Sequence, residues 1–320
     1  MDNFWTLLRK PVFALAPLSG ITDSAFRRVC KGYGADVLYS ELASSTAFVY
    51  QAQPTLRIVR FDESERPFVV QLFGHNPEHF AIAARFITGE IRPDGIDINF
   101  GCPMAKVFKR GGGAALMTNF PLAREVIQSV IENTHLPVSI KTRTNVQGFD
   151  LLSFLEYIED LDIKALMIHG RTYAQRFSGP NDIETTREAR ARFKGTILAN
   201  GGAMNPASAV ELLEKTGADG VGIARGALGN PWIFKQLDST RNGGSPARPP
   251  RDEVLKTAHE HARLSIGLKG RRGIIEMRKH LCWYLQQIPG GKKFKREAVK
   301  LESMEDVAAL VALAAEPHSF

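Results

Sequence analysis

A chain of 320 residues, 44% hydrophobic and 23% charged, has the composition of an ordinary globular protein with one large domain or two smaller ones. No apolar run approaches the roughly 18 residues of a membrane-spanning helix, and the start MDNFWTLLRK argues against a signal peptide. The 3 cysteines are widely spaced and form no C-x-x-C pair, which argues against a disulfide framework and a zinc site. We therefore expect a reducing, cytoplasmic location, with no bound metal and no membrane.

Short apolar runs alternate with longer amphipathic stretches through about the first 235 residues. The runs are rich in β-branched residues, as buried parallel strands are. They lie at 12–16, 35–40, 68–73, 95–99, 137–141, 165–169, 196–200 and 220–224. Helical patterns are predicted between several of them, at 23–32, 77–89, 121–134, 151–161 and 206–216. This strict alternation predicts a (β/α)8 TIM barrel of class α/β. A doubly wound open sheet is the alternative, but the segment APLSG after the first run lacks its glycine fingerprint.

The last part of the chain differs in pattern and in charge. The Gly/Pro-rich stretch 241–251 predicts a linker between a barrel domain, 1–240, and a small helical domain, 252–320. Between Lys269 and Lys300 there are 10 Lys or Arg against 2 acids, so this segment has a charge of +8. The rest of the chain has a charge of about −1, which gives the net charge of +7. Such a concentration predicts a polyanion-binding surface, with an ordinary solvated helix face as the alternative.

Polar residues stand at the ends of the predicted strands, where barrel enzymes carry their working groups. A strand that serves only the core has no need of a polar end, so these residues predict a polar ligand over the barrel mouth. In chain order they are Pro17-Leu18-Ser19, Ser40-Glu41, Gln71, Asn99, Cys102, Lys141, Arg143, His169, Arg171, Asn200-Gly201-Gly202 and Ala224-Arg225-Gly226.

Two glycine-rich turns follow the seventh and eighth predicted strands, at 200–206 and 224–231. Turns of this kind offer backbone N–H groups to a phosphate, and Arg225 would add a charged contact. Together with Lys141 and Gln71 they predict a phosphorylated cofactor such as FMN. Lys141 would neutralise charge near the pyrimidine ring of the flavin, and Gln71 would bond the edge of that ring.

Cys102 is the residue most suggestive of chemistry. It follows the fourth predicted strand in a Gly/Pro turn that we expect to expose it, with Lys106, Lys109 and Arg110 close enough to adjust its acidity. A thiol nucleophile needs an adjacent base, and the candidate His169 lies two strands away, whereas a thiol acting as a general acid needs only reach and position. We expect Cys30 and Cys282 to be structural.

A set of motifs in this order resembles the tRNA-dihydrouridine synthase family over nearly the whole chain. The most specific is DINFGCPMAKV at 97–107. The others are APLSGITDSAFRRVC (16–30), QLFGHNP (71–77), GGGAALM (111–117), KTR (141–143), HGRTYAQRFSG (169–179), NGG (200–202), DGVGIARGALGNPWIF (219–234) and RKHLCWYL (278–285).

The resemblance implies an FMN enzyme that uses NADPH and reduces the C5=C6 bond of uridines in tRNA. Hydride would reach C6 from the flavin, and Cys102 would protonate C5. The implied flavin contacts are Pro17, Leu18, Ser19, Gln71, Lys141, His169, Asn200, Gly201, Gly202, Ala224 and Arg225. Asn99 and Arg143 would hold the uracil, the basic helical domain would bind tRNA phosphates, and we expect a monomer. Whether NADPH or NADH is preferred stays open.

Three positions depart from the family pattern: Gly202 stands where Asp is frequent, Ala224 where Gly is usual, and Tyr173 where Arg is common. Two other functions stay in consideration, a flavin dehydrogenase for a free pyrimidine and a non-catalytic RNA-binding barrel. The basic segment argues against the first, and the intact Cys102, Lys141, His169 and Asn200 argue against the second. Trp283 and Tyr284, at helical spacing, are predicted to be core residues, with stacking on RNA as the alternative.

Overall fold

The computed structural model describes residues 3–316, and its central feature is a closed ring of eight parallel strands. Each strand pairs with the next in the chain, and the first pairs with the last. The strands are β1 Val12–Leu15, β2 Val37–Tyr39, β3 Phe68–Phe73, β4 Gly95–Asn99, β5 Val138–Arg143, β6 Ala165–His169, β7 Thr196–Asn200 and β8 Gly220–Ile223. The predicted TIM barrel is confirmed.

The predicted strands agree with the observed ones to within two residues at every end. The strands are buried nearly throughout, so their residues form continuous apolar runs. The α-helices are α1 Ser24–Gly32, α2 Ser45–Val49, α3 Gln53–Val59, α4 Pro77–Phe86, α5 Ala105–Phe108, α6 Phe120–Ile131, α7 Leu151–Tyr157, α8 Ile183–Arg192, α9 Pro206–Thr216, α10 Ile233–Arg241, α11 Arg251–Lys269, α12 Arg271–Leu285, α13 Lys295–Ala298 and α14 Met304–Ala315.

An aspartate stands directly before β2, β4 and β8 at the amino end of the barrel, and each makes the same two contacts. The N–H of Asp36, Asp94 or Asp219 donates to a carbonyl of the preceding barrel strand, and its carboxylate accepts the N–H of that same residue. The three bonded residues are Phe13, Phe68 and Ile197. These carboxylates satisfy backbone donors at strand ends and pin neighbouring strands together.

Two compact units are formed by the chain. The barrel unit runs up to Asp23 and then from Asp36 to Ala224, and the helical unit comprises Ser24–Ala35 and the residues from Arg225 onward. The predicted linker 241–251 lies inside the helical unit, between α10 and the start of α11. The predicted division into domains 1–240 and 252–320 stays a prediction. No helix within residues 3–316 is long and apolar enough to cross a membrane.

The helical unit has an apolar core of its own, built mainly from α11, α12 and α14. Tyr284 is 1% exposed and belongs to this core, which confirms the core prediction for it, while Trp283 is half-buried with its ring edge-on to His280. Cys30 is fully buried and Cys282 packs against the core. Neither forms a disulfide, as their predicted structural role allows.

Candidate functional site

The register of the barrel strands brings the predicted site residues together at its carboxyl end. Residues directly opposite each other on neighbouring strands are close enough for their side chains to interact. The opposed pairs are Gln71 with Asp97, Asn99 with Lys141, Arg143 with His169, and His169 with Asn200. Five consecutive strands therefore contribute to one cluster of polar side chains.

Cys102 lies in a tightly held turn just beyond β4. The side-chain Oδ1 of Asn99 accepts the backbone N–H of Gly101 at 3.1 Å and of Cys102 at 2.9 Å. The carbonyl of Gly101 accepts from Nε of Arg143 at 2.8 Å. Gly113 packs so closely that a Cβ there would lie 3.0 Å from the Cβ of Cys102, and its φ of +61° also favours glycine.

Two expectations for Cys102 are wrong. The turn does not expose the residue, which is only 6% exposed, because the chain folds back over it at Gly113. The charges that act on the thiol are those of Arg143 and Lys141, rather than those of Lys106, Lys109 and Arg110. Burial raises the pKa of the Cys102 thiol above its ordinary value, against a smaller lowering by the Met104 backbone and the two cations. The thiol therefore keeps its proton at neutral pH.

A buried chain of side chains runs behind this turn, and its far end was missed by the sequence analysis. Nδ2 of Asn99 donates to Oε1 of Gln71 at 3.1 Å, and Nε2 of Gln71 donates to Asp97 at 2.6 Å. The other oxygen of Asp97 accepts from the hydroxyl of Ser139 at 2.7 Å. Burial raises the pKa of Asp97 to about 6, although Gln71, Ser139 and Lys141 all favour its charged form. In the sequence, this end could have been recognised from the polar residues Asp97 and Ser139, which interrupt the apolar runs GIDIN and PVSIK.

Lys141 is a partly buried cation near the end of β5. Its Nζ donates to Oδ1 of Asn200 at 3.0 Å, and Nδ2 of Asn200 donates to the carbonyl of Gly222 at 2.6 Å. Burial, and then the charge of Arg143, lower the pKa of Lys141 to about 8, although Asp97 and Cys102 favour the charged form. The ammonium group is therefore charged at neutral pH but close to losing its proton.

Arg143 lies deeper than the sequence suggested, because β5 extends two residues beyond the predicted end at 141. The residue is 2% exposed. Its Nη1 lies 2.9–3.2 Å from the carbonyl oxygens of Arg171, Thr172 and Arg176. Together with its bond to Gly101, these contacts tie the loop after β6 to the turn that holds Cys102.

His169 is a neutral imidazole in this environment. Burial lowers its pKa to about 2, helped by the charges of Lys141, Arg143 and Arg171. Its Nδ1 lies 3.3 Å from Nη1 of Arg143. So weak a base cannot take a proton from a thiol whose pKa is raised, which argues against a Cys102–His169 nucleophilic pair.

The glycines after β7 let neighbouring side chains pack closely against the backbone. Gly201 and Gly202 have φ values of +106° and +79°, which disfavour any side chain. Asn181 packs beside them, with its Nδ2 donating to the carbonyl of Gly201 at 2.8 Å. Oδ1 of Asn181 is buried and has no hydrogen-bond partner among residues 3–316. This acceptor, also missed from the sequence, is available to a bound donor.

The remaining predicted contacts lie at the edges of this cluster or outside the barrel unit. Pro17, Leu18 and Ser19 form the loop after β1, where the N–H of Leu18 donates to Oγ1 of Thr22 at 3.1 Å. Ala224 follows β8 and packs against the apolar barrel core. Arg225 is exposed and begins the helical unit. Tyr173, one of the departures from the family pattern, places its ring 4.5 Å from that of Phe108.

The basic segment of the helical unit is largely at the surface. Lys269 and Arg272 both pair with Glu276, at 2.5 Å and 2.7 Å, and Arg278 donates to the carbonyl of Leu301. The exposed cations of this segment are Arg271, Arg272, Lys292, Lys293, Arg296 and Lys300. Their number and exposure give this unit a positive surface.

Comparison with known proteins identifies one family. Its model, described as dihydrouridine synthase (Dus), matches residues 14–317. A probable tRNA-dihydrouridine synthase of Rickettsia conorii is 35% identical over 296 residues, covering 90% of this chain and 88% of the relative. The tRNA-dihydrouridine synthase B of Pseudomonas aeruginosa is 33% identical over 305 residues, covering 93% and 90%.

Solved structures share the fold at much lower identity. Histamine dehydrogenase from Rhizobium superposes with a TM-score of 0.55 at 14% identity, over 79% of this chain and 48% of that one. A 2-naphthoyl-CoA reductase complex gives a TM-score of 0.55 at 11% identity, over 76% and 51%. The chain spans about half the length of these two proteins, and the likeness concerns the barrel fold alone.

Proposed function

The chain belongs to the dihydrouridine synthase family and is an oxidoreductase, and from this premise we propose that it reduces the C5=C6 bond of uridines in tRNA with FMN and NADPH. The observation that carries the proposal is Cys102, a buried thiol with a raised pKa at the mouth of the barrel. Addition of hydride to C6 must be matched by a proton at C5, and a thiol that keeps its proton at neutral pH can supply it.

The cations around Cys102 would serve the same step. Once the thiol has given its proton, the charges of Arg143 and Lys141 stabilise the thiolate that is left. Asn99 and Arg143 hold the turn of Cys102 from two sides and would also hold the uracil edge. Because a uracil in a folded RNA is stacked, the base must leave its stack to reach this buried thiol.

The residues at the mouth fit FMN, which is an anion. Lys141, Arg143 and Arg171 lie close enough to lower the pKa of His169, so an anionic group would relieve their mutual repulsion. The unpartnered Oδ1 of Asn181, which packs beside Gly201 and Gly202, would accept from a ribityl hydroxyl. Bound FMN would supply the hydride for C6 and take up electrons from NADPH.

The complete set of proposed FMN contacts is the one predicted from the sequence. Lys141, Gln71, His169 and Asn200 are supported by their place in the polar cluster. Pro17–Ser19 and Ala224 are supported by their position after β1 and β8. The proposed contact of Arg225 with FMN is supported by the family motif alone.

The tRNA would be bound in part by the basic segment of the helical unit, 269–300, whose exposed cations suit phosphate contacts. Such contacts weaken steeply with added salt, whereas the chemistry at Cys102 does not depend on them. A monomer in the cytoplasm, without metal, stays the expectation from the sequence.

The visible spectrum of the purified protein, followed by anaerobic NADPH oxidation with and without unmodified tRNA, tests the proposal. A yellow protein whose reduced flavin is reoxidised by tRNA, with dihydrouridine appearing in the RNA, is the expected result. A protein reoxidised by free uracil but not by tRNA would instead be a pyrimidine dehydrogenase. A protein that cannot be loaded with FMN would contradict both.

A further inference from the structure

Two side-chain amides in series connect the turn of Cys102 with a carboxylate in the middle of β4. The chain runs from the backbone N–H groups of Gly101 and Cys102 to Asn99, from Asn99 to Gln71, and from Gln71 to Asp97. Its bonds measure 2.6–3.1 Å, and Gln71 and Asp97 are completely buried. No water can substitute for a missing partner at such depth without a cavity to hold it.

The direction of this chain is set at both ends. A backbone N–H can only donate, so Asn99 must turn its oxygen toward Cys102 and its nitrogen toward Gln71. An ionised carboxylate can only accept, so Gln71 must turn its nitrogen toward Asp97 and its oxygen toward Asn99. The two requirements agree, and Asp97 is the group that completes the series.

We propose that Asp97 is a positioning residue that holds the turn of Cys102 in place through Gln71 and Asn99. The inference rests on the proposed function in one respect, namely that Cys102 is the proton donor whose position matters. Asp97 itself lies behind Gln71 and acts on the thiol only through the two amides.

The burial of Asp97 supports a specific role. A buried carboxylate is costly unless it is bonded, and each oxygen of Asp97 has one short contact, with Gln71 and with Ser139. With a pKa of about 6, the group is mainly ionised at pH 7 and above, the state in which it only accepts. Asp97 is therefore the terminal acceptor of the hydrogen-bonded series that runs from Cys102 through Asn99 and Gln71.

Alkylation of Cys102 by iodoacetamide in the full-length protein tests the proposal without using activity. Asp97→Ala should loosen the turn and speed alkylation of Cys102 by about three- to tenfold, the ratio expected for loss of one net hydrogen bond. Alkylation of Cys30, which is fully buried in the helical unit, should be unchanged. Ser139→Ala, which leaves the Gln71–Asp97 bond in place, is the matched control and should change the Cys102 rate by less than about twofold.

A double-mutant cycle tests whether the effect passes through Gln71. Gln71→Leu should raise the Cys102 rate as Asp97→Ala does, and the double variant should match either single one rather than their product. The proposal would be overturned if the alkylation rate of Cys102 did not change, or if that of Cys30 rose equally. It would also be overturned if the effects of the two substitutions on the Cys102 rate multiplied in the double variant. If Asp97→Ala does not fold, Asp97→Leu, which removes both acceptor oxygens and keeps a branched side chain of similar shape, takes its place against Ser139→Ala.

Turnover gives a second readout that depends on the proposed function. Asp97→Ala should lower kcat about tenfold at unchanged flavin content, and Asp97→Asn, which keeps one acceptor oxygen, should recover part of it. A parent protein that reduces no uridine would refute the proposed function, while the alkylation rates would still decide the role of Asp97. Full turnover in Asp97→Ala would refute only that role.

Discussion

The two ends of the barrel handle charge in opposite ways. At the amino end, Asp219 pairs with Lys10 at 2.6 Å and Arg190 at 2.8 Å and also accepts a strand N–H. At the carboxyl end, burial, helped in each case by the charge of a neighbouring arginine, lowers the pKa of Lys141 to about 8 and that of Arg143 to about 10. Charge at the first end is neutralised by the chain itself, whereas at the second end we propose that a bound anion completes the neutralisation. The amino end thus stabilises the barrel, and we propose that the carboxyl end carries the chemistry.

Removing the thiol should produce the largest functional effect and leave stability untouched. We expect Cys102→Ala to lower the rate of uridine reduction by about 10²–10⁴, the usual value of a general acid. FMN binding and reduction by NADPH should persist, because those steps need no proton from Cys102. Rapid-mixing kinetics that separate flavin reduction from its reoxidation by tRNA would measure the two steps.

Cys282→Ala is the matched control for the thiol, since it removes the same atoms from a half-buried site in the helical unit. It should reduce uridine at the parent rate. A Cys102→Ala protein that reoxidises with tRNA as fast as the parent would show that another group or water donates the proton.

Asp219→Ala should have the converse effect at the amino end, a loss of stability with little change in chemistry. The substitution leaves the N–H of Ile197 and the guanidinium of Arg190 without their carboxylate, which should lower the free energy of unfolding by about 2–3 kcal/mol. Urea unfolding followed by circular dichroism measures this change, and kcat at 25 °C should stay near the parent value.

Asp162→Ala is the comparison for Asp219, because Asp162 pairs with Lys164 but is 68% exposed. Its cost should stay below about 0.5 kcal/mol. If the two substitutions lowered the free energy of unfolding equally, the strand N–H contact of Asp219 would add nothing to stability. The proposed stabilising role of the amino end would then be wrong.

The pH dependence of FMN binding should report the unneutralised charge at the mouth. In the free protein Lys141 loses its proton as the pH rises through about 8, whereas a bound anion would favour the charged form and raise that pKa. Binding therefore takes up a proton above pH 8, and affinity should fall by up to about tenfold per pH unit there while staying level below. Quenching of flavin fluorescence between pH 7 and 9 measures it.

Lys141→Met distinguishes the effect of titrating Lys141 on FMN affinity from that of other groups that titrate in this range. It should bind FMN more weakly, and the fall above pH 8 should disappear. A parent protein whose affinity stays level from pH 7 to 9 would show that the ammonium group does not face the bound anion.

The barrel and most of the polar residues at its mouth could be predicted from the sequence, for physical reasons. Buried parallel strands are continuous apolar runs, so β3, β4, β6 and β7 could be placed with both ends correct. Parallel strands in a ring bring their carboxyl ends together, so a list of strand-end residues is already a list of neighbours.

What the sequence could not predict depends on contacts between distant residues. Gly113 covers Cys102 from a position 11 residues later, and glycine and proline in a turn do not reveal whether the turn is open or folded back. The partners of Asp97 are Gln71 and Ser139, which lie on the two neighbouring strands. Arg143 bonds backbone carbonyls, which every residue has and which leave no mark in a sequence.

A small effect is also expected at the amino end, where Lys10→Ala separates the exposed ion pair from the other contacts of Asp219. Lys10 is 56% exposed, and Asp219 keeps both Arg190 and the N–H of Ile197 without it, so the cost should be only about 0.5 kcal/mol. The same urea measurement at low and high salt should show this small term shrinking, since an exposed pair is screened. If Lys10→Ala cost as much as Asp219→Ala, the exposed ion pair would account for the stability of that end, and the buried strand contact would not.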